Sequence, residues 1–218
     1  MNLTTEPYIE QVKVWPQSGR HILAQYDDES IIVYQAYRPS IGRYAVEHGR
    51  FGGPDFSFSR MTWIKPNFLW MMYRSGWGTK EGQEITLGLR IRRSFLDSLL
   101  AQAVASSWNP AEFPTHEEWA KAVAGSSVRL QWDPDHHPSG AKLERRAIQL
   151  GLRGAVTEAF AQREPLEVID LTEFVAGQRQ VLESKGVSAL QTPRERVYLP
   201  ADLAIRRKLG LSDTNDRT

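Results

Sequence analysis

Three cations and three indoles alternate within eighteen residues: Arg60, Trp63, Lys65, Trp70, Arg74, Trp77. Guanidinium forks and an ammonium bind phosphate oxygens, and indole faces stack on flat rings. The pattern therefore suits an anionic ligand that carries rings, a nucleotide or RNA. Charge is concentrated in the same region. Ile31 to Arg93 holds ten Lys/Arg against four Asp/Glu, a local excess of +6 in a chain whose net charge is +1. The competing reading places the Trp side chains in a core with Met61, Ile64, Phe68, Leu69 and Met72, and leaves the Arg side chains in solvent. Lys65 stands directly before Pro66, where the first amides of a following helix would add donors for an anion.

Other chemistry is excluded by inspection. The chain has no Cys, which removes thiolate metal sites, cysteine nucleophiles and disulfides together. It contains no Gly-x-x-x-x-Gly-Lys-Ser/Thr loop, no Gly-x-Gly-x-x-Gly, no Gly-x-Ser-x-Gly and no His-Glu-x-x-His. Asp133-Pro134-Asp135-His136-His137 supplies metal-binding side chain types. Consecutive residues point in different directions, however, and a polar loop explains the string, so no metal site is expected.

The elements that must carry these residues follow from periodicity. Ile31 to Tyr37 is β-branched and aromatic and stops at Pro39, which predicts a strand with Gln35 and Tyr37 on one face. A short helix through Ala45 and His48 should end at Gly49, before the Gly52-Gly53-Pro54 loop. Met61 to Lys65 reads as extended, and Pro66 opens a helix through Tyr73 that Gly76 ends. Leu87, Leu89 and Ile91 alternate as a strand, and Phe95 to Val104 shows helical spacing. Thr115 with Glu118 forms a capping box for a helix to Gly125. Val128, Leu130 and Trp132 alternate as another strand. Lys142 to Leu150 reads as a helix that would place Arg146 and Gln149 on one solvated face. Val168 to Leu171 and Val197 to Leu199 are short apolar runs flanking a helix from Thr172 to Ser184. Strands and helices do not alternate regularly, which points to an α+β fold, a single domain over residues 1–211 with a mostly antiparallel twisted sheet and flanking helices. Residues 212–218 read as a polar tail. With 41% hydrophobic and 24% charged residues, no apolar run long enough to span a bilayer and a polar, acidic N-terminus, a cytoplasmic protein is the expectation.

Several of these segments resemble a known family. Tyr34-Gln35-Ala36-Tyr37, the block from Arg60 to Trp77, Gln131-Trp132-Asp133-Pro134-Asp135-His136 and Arg146-Ala147-Ile148-Gln149-Leu150-Gly151 are similar to signatures of the domain-of-unknown-function 4291 family, over roughly Arg20 to Leu209. That family name implies relatives without an activity.

A more remote resemblance supplies chemistry. Ile31 to Arg38, the following helix, Ser59 to Thr62 and Arg194-Glu195-Arg196-Val197-Tyr198-Leu199-Pro200 follow the order of elements in ADP-ribosyltransferase folds. The resemblance implies a transferase with NAD as substrate, Glu195, Gln35 and Tyr37 in the catalytic roles, and Arg38 and Thr62 joining Arg60, Trp63, Lys65 and Arg74 as nucleotide contacts. A carboxylate at Glu195 would stabilise the positive charge that grows on ribose as nicotinamide leaves, with Arg194 and Arg196 keeping it ionised. The alternative for Glu195 is an exposed ion pair with those neighbours. The acceptor implied by the basic and aromatic block is nucleic acid. Two other classes remain open: an RNA- or nucleotide-binding module without turnover, and a nucleotidyl-transferring RNA ligase acting through Lys65, for which a Lys-x-Asp-Gly motif is absent.

Overall fold

In the computed structural model, which describes residues 3–211, the chain opens with β1 (Thr5–Pro7), α1 (Tyr8–Gln11), β2 (Gly19–Arg20) and β3 (Ile22–Ala24). The expected first strand is β4 (Ser30–Tyr37), followed by α2 (Pro39–His48), which ends at Gly49 in the left-handed conformation. Next come β5 (Thr62–Ile64), α3 (Phe68–Ser75), β6 (Ile85–Arg92), α4 (Arg93–Gln102) and β7 (Val104–Ala105). The second half holds α5 (His116–Gly125), β8 (Val128–His136), β9 (Lys142–Leu152), α6 (Ala155–Gln162), β10 (Pro165–Asp170) and α7 (Thr172–Lys185). It closes with β11 (Gln191–Pro193), β12 (Arg196–Tyr198) and α8 (Leu203–Leu209). The tail expected at 212–218 lies outside the described residues.

Two sheets position the site. One has the order β10-β6-β4 and is antiparallel throughout; the other runs β2-β9-β8-β7, with β5 also paired to β9. Among the described residues the pairings are antiparallel except for the two-residue parallel contacts of β2 with β9 and of β7 with β8. Strand β4 is buried on both faces because its side chains alternate between two cores. Ile31 and Val33 join Leu89, Leu150 and Phe160, whereas Ile32 and Tyr34 join Phe68, Leu69 and Met72. Sharing β4 makes the described residues one mixed α and β domain.

The sheets are stitched together beside β5. Tyr34 N–H donates to the Lys65 carbonyl at 2.7 Å and Lys65 N–H donates to the Tyr34 carbonyl at 3.2 Å. Gly151 lets β5 lie close on β9, since a Cβ there would stand 2.7 Å from Met61 Sδ and 2.9 Å from the Trp63 ring.

One element differs from expectation. Lys142 to Leu152 is strand β9, paired residue by residue with β8 from Val128↔Leu152 to Pro134↔Arg146. Its Lys, Leu, Glu, Arg and Ala are good helix formers, but burial of Ile148, Leu150 and Leu152 against the core outweighs a propensity of a few tenths of a kcal/mol per residue. Asp133 to His136 likewise belong to β8 rather than to a loop. No helix among the described residues is long and apolar enough to cross a membrane.

Candidate functional site

The face of β4 that carries Ile31 and Val33 continues with Gln35 and Tyr37, and there the core gives way to a cleft of about 720 Å³. Gln35, Tyr37, Arg38, Arg60, Thr62, Trp63, Lys65 and Arg74 all line it. Gln35 Nε2 donates to Thr62 Oγ1 at 2.7 Å and to the Trp63 carbonyl at 3.1 Å, and the Tyr37 hydroxyl lies 2.6 Å from Thr62 Oγ1. These bonds fasten β5 to β4. They engage two of the three side chains expected to be catalytic, though Gln35 Oε1 has no partner among the described residues, and burial raises the Tyr37 phenol to about 12, which leaves it a protonated hydroxyl at neutral pH.

Lys65 follows β5 directly, and the paired backbone of Tyr34 holds it at the cleft wall. Its side chain is buried, 6% exposed, yet among the described residues no acceptor lies within hydrogen-bond or ion-pair distance of its ammonium. Burial, with Arg74 adding repulsion and Asp133 opposing, brings its pKa down to about 8. Arg60 and Arg74 are exposed at the cleft and have no carboxylate partner among the described residues. The Arg74 guanidinium lies 6.0 Å from the centre of the Trp70 ring. Arg38 stands 3.9 Å from Asp55, also a lining residue. Trp63 and Trp70 line the cleft, whereas Trp77 packs away from it against Phe68.

The remaining wall comes from the second sheet. Gln131 and Asp133 on β8 and Gln149 on β9 face the cleft, and Asp133 accepts from both amides: Gln131 Nε2 at 2.9 Å and Gln149 Nε2 at 2.8 Å. The register shift between Pro134 and His136 breaks the alternation of β8 and separates the neighbouring ligand types. Asp135 is buried in an ion pair with Arg145 at 2.6 Å, the His136 ring stacks 3.6 Å from that of Tyr73, and His137 turns to Ser139. Among the described residues no three carboxylate or imidazole groups converge as a metal site.

Glu195 is not at the cleft. It is 1% exposed, so it is not a surface ion pair either. Its Oε1 accepts from the Phe68 N–H at 2.7 Å and its Oε2 accepts from Asn67 Nδ2 at 3.2 Å, which seats its carboxyl group at the start of α3. Its own N–H donates to Gln11 Oε1 at 2.7 Å, and its carbonyl accepts from Trp15 Nε1 at 3.0 Å. Burial pushes its pKa well above the ordinary carboxylate value. The helix terminus beside Pro66 thus already holds a carboxyl group, and it is the protein's own. Pro66 precedes the helix instead of opening it: Asn67 is the cap, its Oδ1 accepting the Trp70 N–H at 2.6 Å.

A family model described as "Domain of unknown function (DUF4291)" matches residues 21–198. The chain belongs to the DUF4291 family. The match encloses the whole cleft lining, from Gln35 to Gln149, and Glu195 as well. No match was found among curated proteins. Within this DUF4291 domain, the cleft also holds Gln131, Asp133 and Gln149, which sequence reasoning placed in family signatures, a metal-type string and a solvated helix face without assigning them to the site. Their signal is the strand period, Gln131-x-Asp133, and it becomes visible only once Gln149 is placed on a partner strand rather than a helix.

Proposed function

We propose that the cleft is a nucleotide-binding active site in which Lys65 takes up a nucleotidyl group and passes it to an acceptor. The observation that carries this reading is a buried lysine that, among the described residues, has no acceptor and faces a cleft beside two arginines without carboxylate partners. A buried cation left unpaired costs stability, and a ligand phosphate supplies the missing charge. Repulsion from Arg74 and loss of water make the amine available. At pH 8 an ordinary lysine with pKa near 10.4 is only about 0.4% free amine, whereas one with pKa about 8 is half free.

The reaction follows from those groups. The free amine of Lys65 attacks the α-phosphorus of a nucleoside triphosphate. The bond from that phosphorus to the bridging oxygen breaks, pyrophosphate leaves with the electron pair, and the amine gives its surplus proton to water. A lysyl phosphoramidate results. A phosphate or hydroxyl oxygen of the acceptor then displaces the amine, which leaves protonated. Arg60 and Arg74 neutralise the phosphate charge that grows in both steps. The alternating rings and cations favour nucleic acid as the acceptor.

ADP-ribosyl transfer from NAD draws on the same cleft and remains the second reading. Its carboxylate cannot be Glu195, which is committed to α3, and Asp133 is left to fill that role. One experiment separates the readings. The protein is incubated with ATP labelled at the α-phosphate, or with NAD, denatured and analysed for bound label and released product. Nucleotidyl transfer gives an acid-labile label on Lys65 that Lys65→Ala abolishes, and it frees nicotinamide mononucleotide from NAD. ADP-ribosyl transfer frees nicotinamide instead. Tight nucleotide or RNA binding with no release of either product assigns a binding module and overturns the enzyme reading.

A further inference from the structure

We propose that Asp133, held by Gln131 and Gln149, is the ribose-recognising group of the cleft, so that the donor is a ribonucleotide rather than a deoxyribonucleotide. The inference rests on the nucleotide reading above and adds the class of sugar. Gln131 and Gln149 are cross-strand partners on β8 and β9, and Asp133 lies two residues along on the same face. Each carboxylate oxygen of Asp133 accepts one amide N–H, Oδ1 from Gln131 and Oδ2 from Gln149. An ionised carboxylate has about four lone-pair positions, so one stays open on each oxygen. The amides direct their donors at Asp133 and lock its plane, leaving acceptors for the ligand.

The cleft is therefore divided by hydrogen-bond type. Lys65, Arg60 and Arg74 only donate; the Asp133 carboxylate only accepts. A ribonucleotide has the complementary division, since its phosphate oxygens accept while its 2′ and 3′ hydroxyls donate. A vicinal diol offers one O–H to each oxygen of a fixed carboxylate. Asp133 makes no hydrogen bond to Lys65 among the described residues, so its oxygens are not consumed by the nucleophile. A divalent cation is the less suitable occupant: Lys65 and its neighbour Arg74 repel it, among the described residues no three carboxylate or imidazole groups converge as a metal site, and Asp55, also in the cleft lining, stands 3.9 Å from Arg38.

The test is calorimetric binding of a non-cleavable α,β-methylene ATP and its 2′-deoxy and 3′-deoxy counterparts, with and without magnesium, to wild type and Asp133→Asn. A hydrogen bond to a charged acceptor is worth roughly 10- to 100-fold in affinity. Wild type should bind the ribonucleotide at least about 10-fold tighter than either deoxy form. Asp133→Asn should weaken the ribonucleotide most and each deoxy form, which keeps one hydroxyl, less, so that the sugar preference narrows. Equal affinity of wild type for all three compounds overturns the ribose assignment while leaving the nucleotide reading intact, and this arm needs no variant. Preserved discrimination in Asp133→Asn transfers the role to another residue. Binding that requires magnesium and shows no sugar preference assigns Asp133 to a cation. Absence of binding by any of the three overturns the nucleotide reading as well.

Discussion

Two buried ionic side chains stand at the start of α3, and the protein treats them in opposite ways. Glu195 reaches the first turn from the far end of the chain, and both of its oxygens accept hydrogen bonds. Lys65, three residues before Phe68, has no acceptor among the described residues and faces the cleft. The Asp135–Arg145 pair follows the first pattern, with Arg145 also donating to the Pro16 carbonyl at 2.6 Å and Asp135 Oδ1 accepting the His136 N–H at 2.7 Å. A charge that folding has paired within the protein belongs to the architecture. One that folding has desolvated and left open is available to a ligand. Burial alone does not distinguish the two; the partner count does.

That contrast predicts opposite signs for two substitutions. Glu195→Ala strips the acceptors from the Phe68 N–H and from Asn67 and leaves a void, which should cost roughly 2–4 kcal/mol in urea unfolding. Lys65→Met removes an unpaired buried charge and should add on the order of 1–3 kcal/mol in the same measurement. A stabilising Glu195→Ala or a destabilising Lys65→Met would erase the distinction. Labelling sharpens it further: folded Glu195→Ala should keep its rate within about 3-fold at low temperature, because the carboxylate does not touch the ligand.

A smaller effect is expected from pH. The folded pKa of Lys65 is about 8, below the ordinary lysine value. The initial rate of label incorporation should therefore rise with pH and level off above about 8. Folding releases the Lys65 proton between that value and its ordinary one, so wild-type stability relative to Lys65→Met should rise as pH increases through this window. Arg74→Gln removes a repelling neighbour, and the midpoint of the rate profile should move upward. An unchanged midpoint would leave burial as the sole cause of the shift.

The smallest effect belongs to the rim. Arg38 and Asp55 are 3.9 Å apart and about half exposed. Asp55→Asn should change stability by less than about 0.5 kcal/mol, because water screens such a pair. A larger loss would mean that this rim ion pair supports the cleft wall.

Local pattern made part of this site legible. The strand Ile31–Tyr37 and the segment Arg60–Arg74 announce themselves by period and punctuation, and their polar residues do meet in one cleft. Glu195 was hidden by its neighbours. Arg194 and Arg196 suggest an exposed carboxylate, but along extended chain adjacent side chains face opposite ways, and pairing of β11 with β1 and of β12 with β3 turns Glu195 inward. The Gln131, Asp133 and Gln149 platform depends on the register of the β8–β9 hairpin, which residue types alone do not specify when one strand is built from helix formers. Short-range signals locate the cations; only long-range pairing shows which charges remain open.

The closure of β1 on β11 and of β3 on β12 also imposes an order on biosynthesis. Contacts between such distant segments wait until β11 and β12 have left the ribosome. The carboxyl group that secures the helix behind Lys65 emerges 130 residues after Lys65 itself (195 − 65). A nascent or prematurely terminated chain ending before Glu195 therefore lacks the anchor for that helix. The surroundings of Lys65 are completed only after the segment carrying Glu195 has been made, so the proposed nucleophile is not fully framed on a chain that stops short of it.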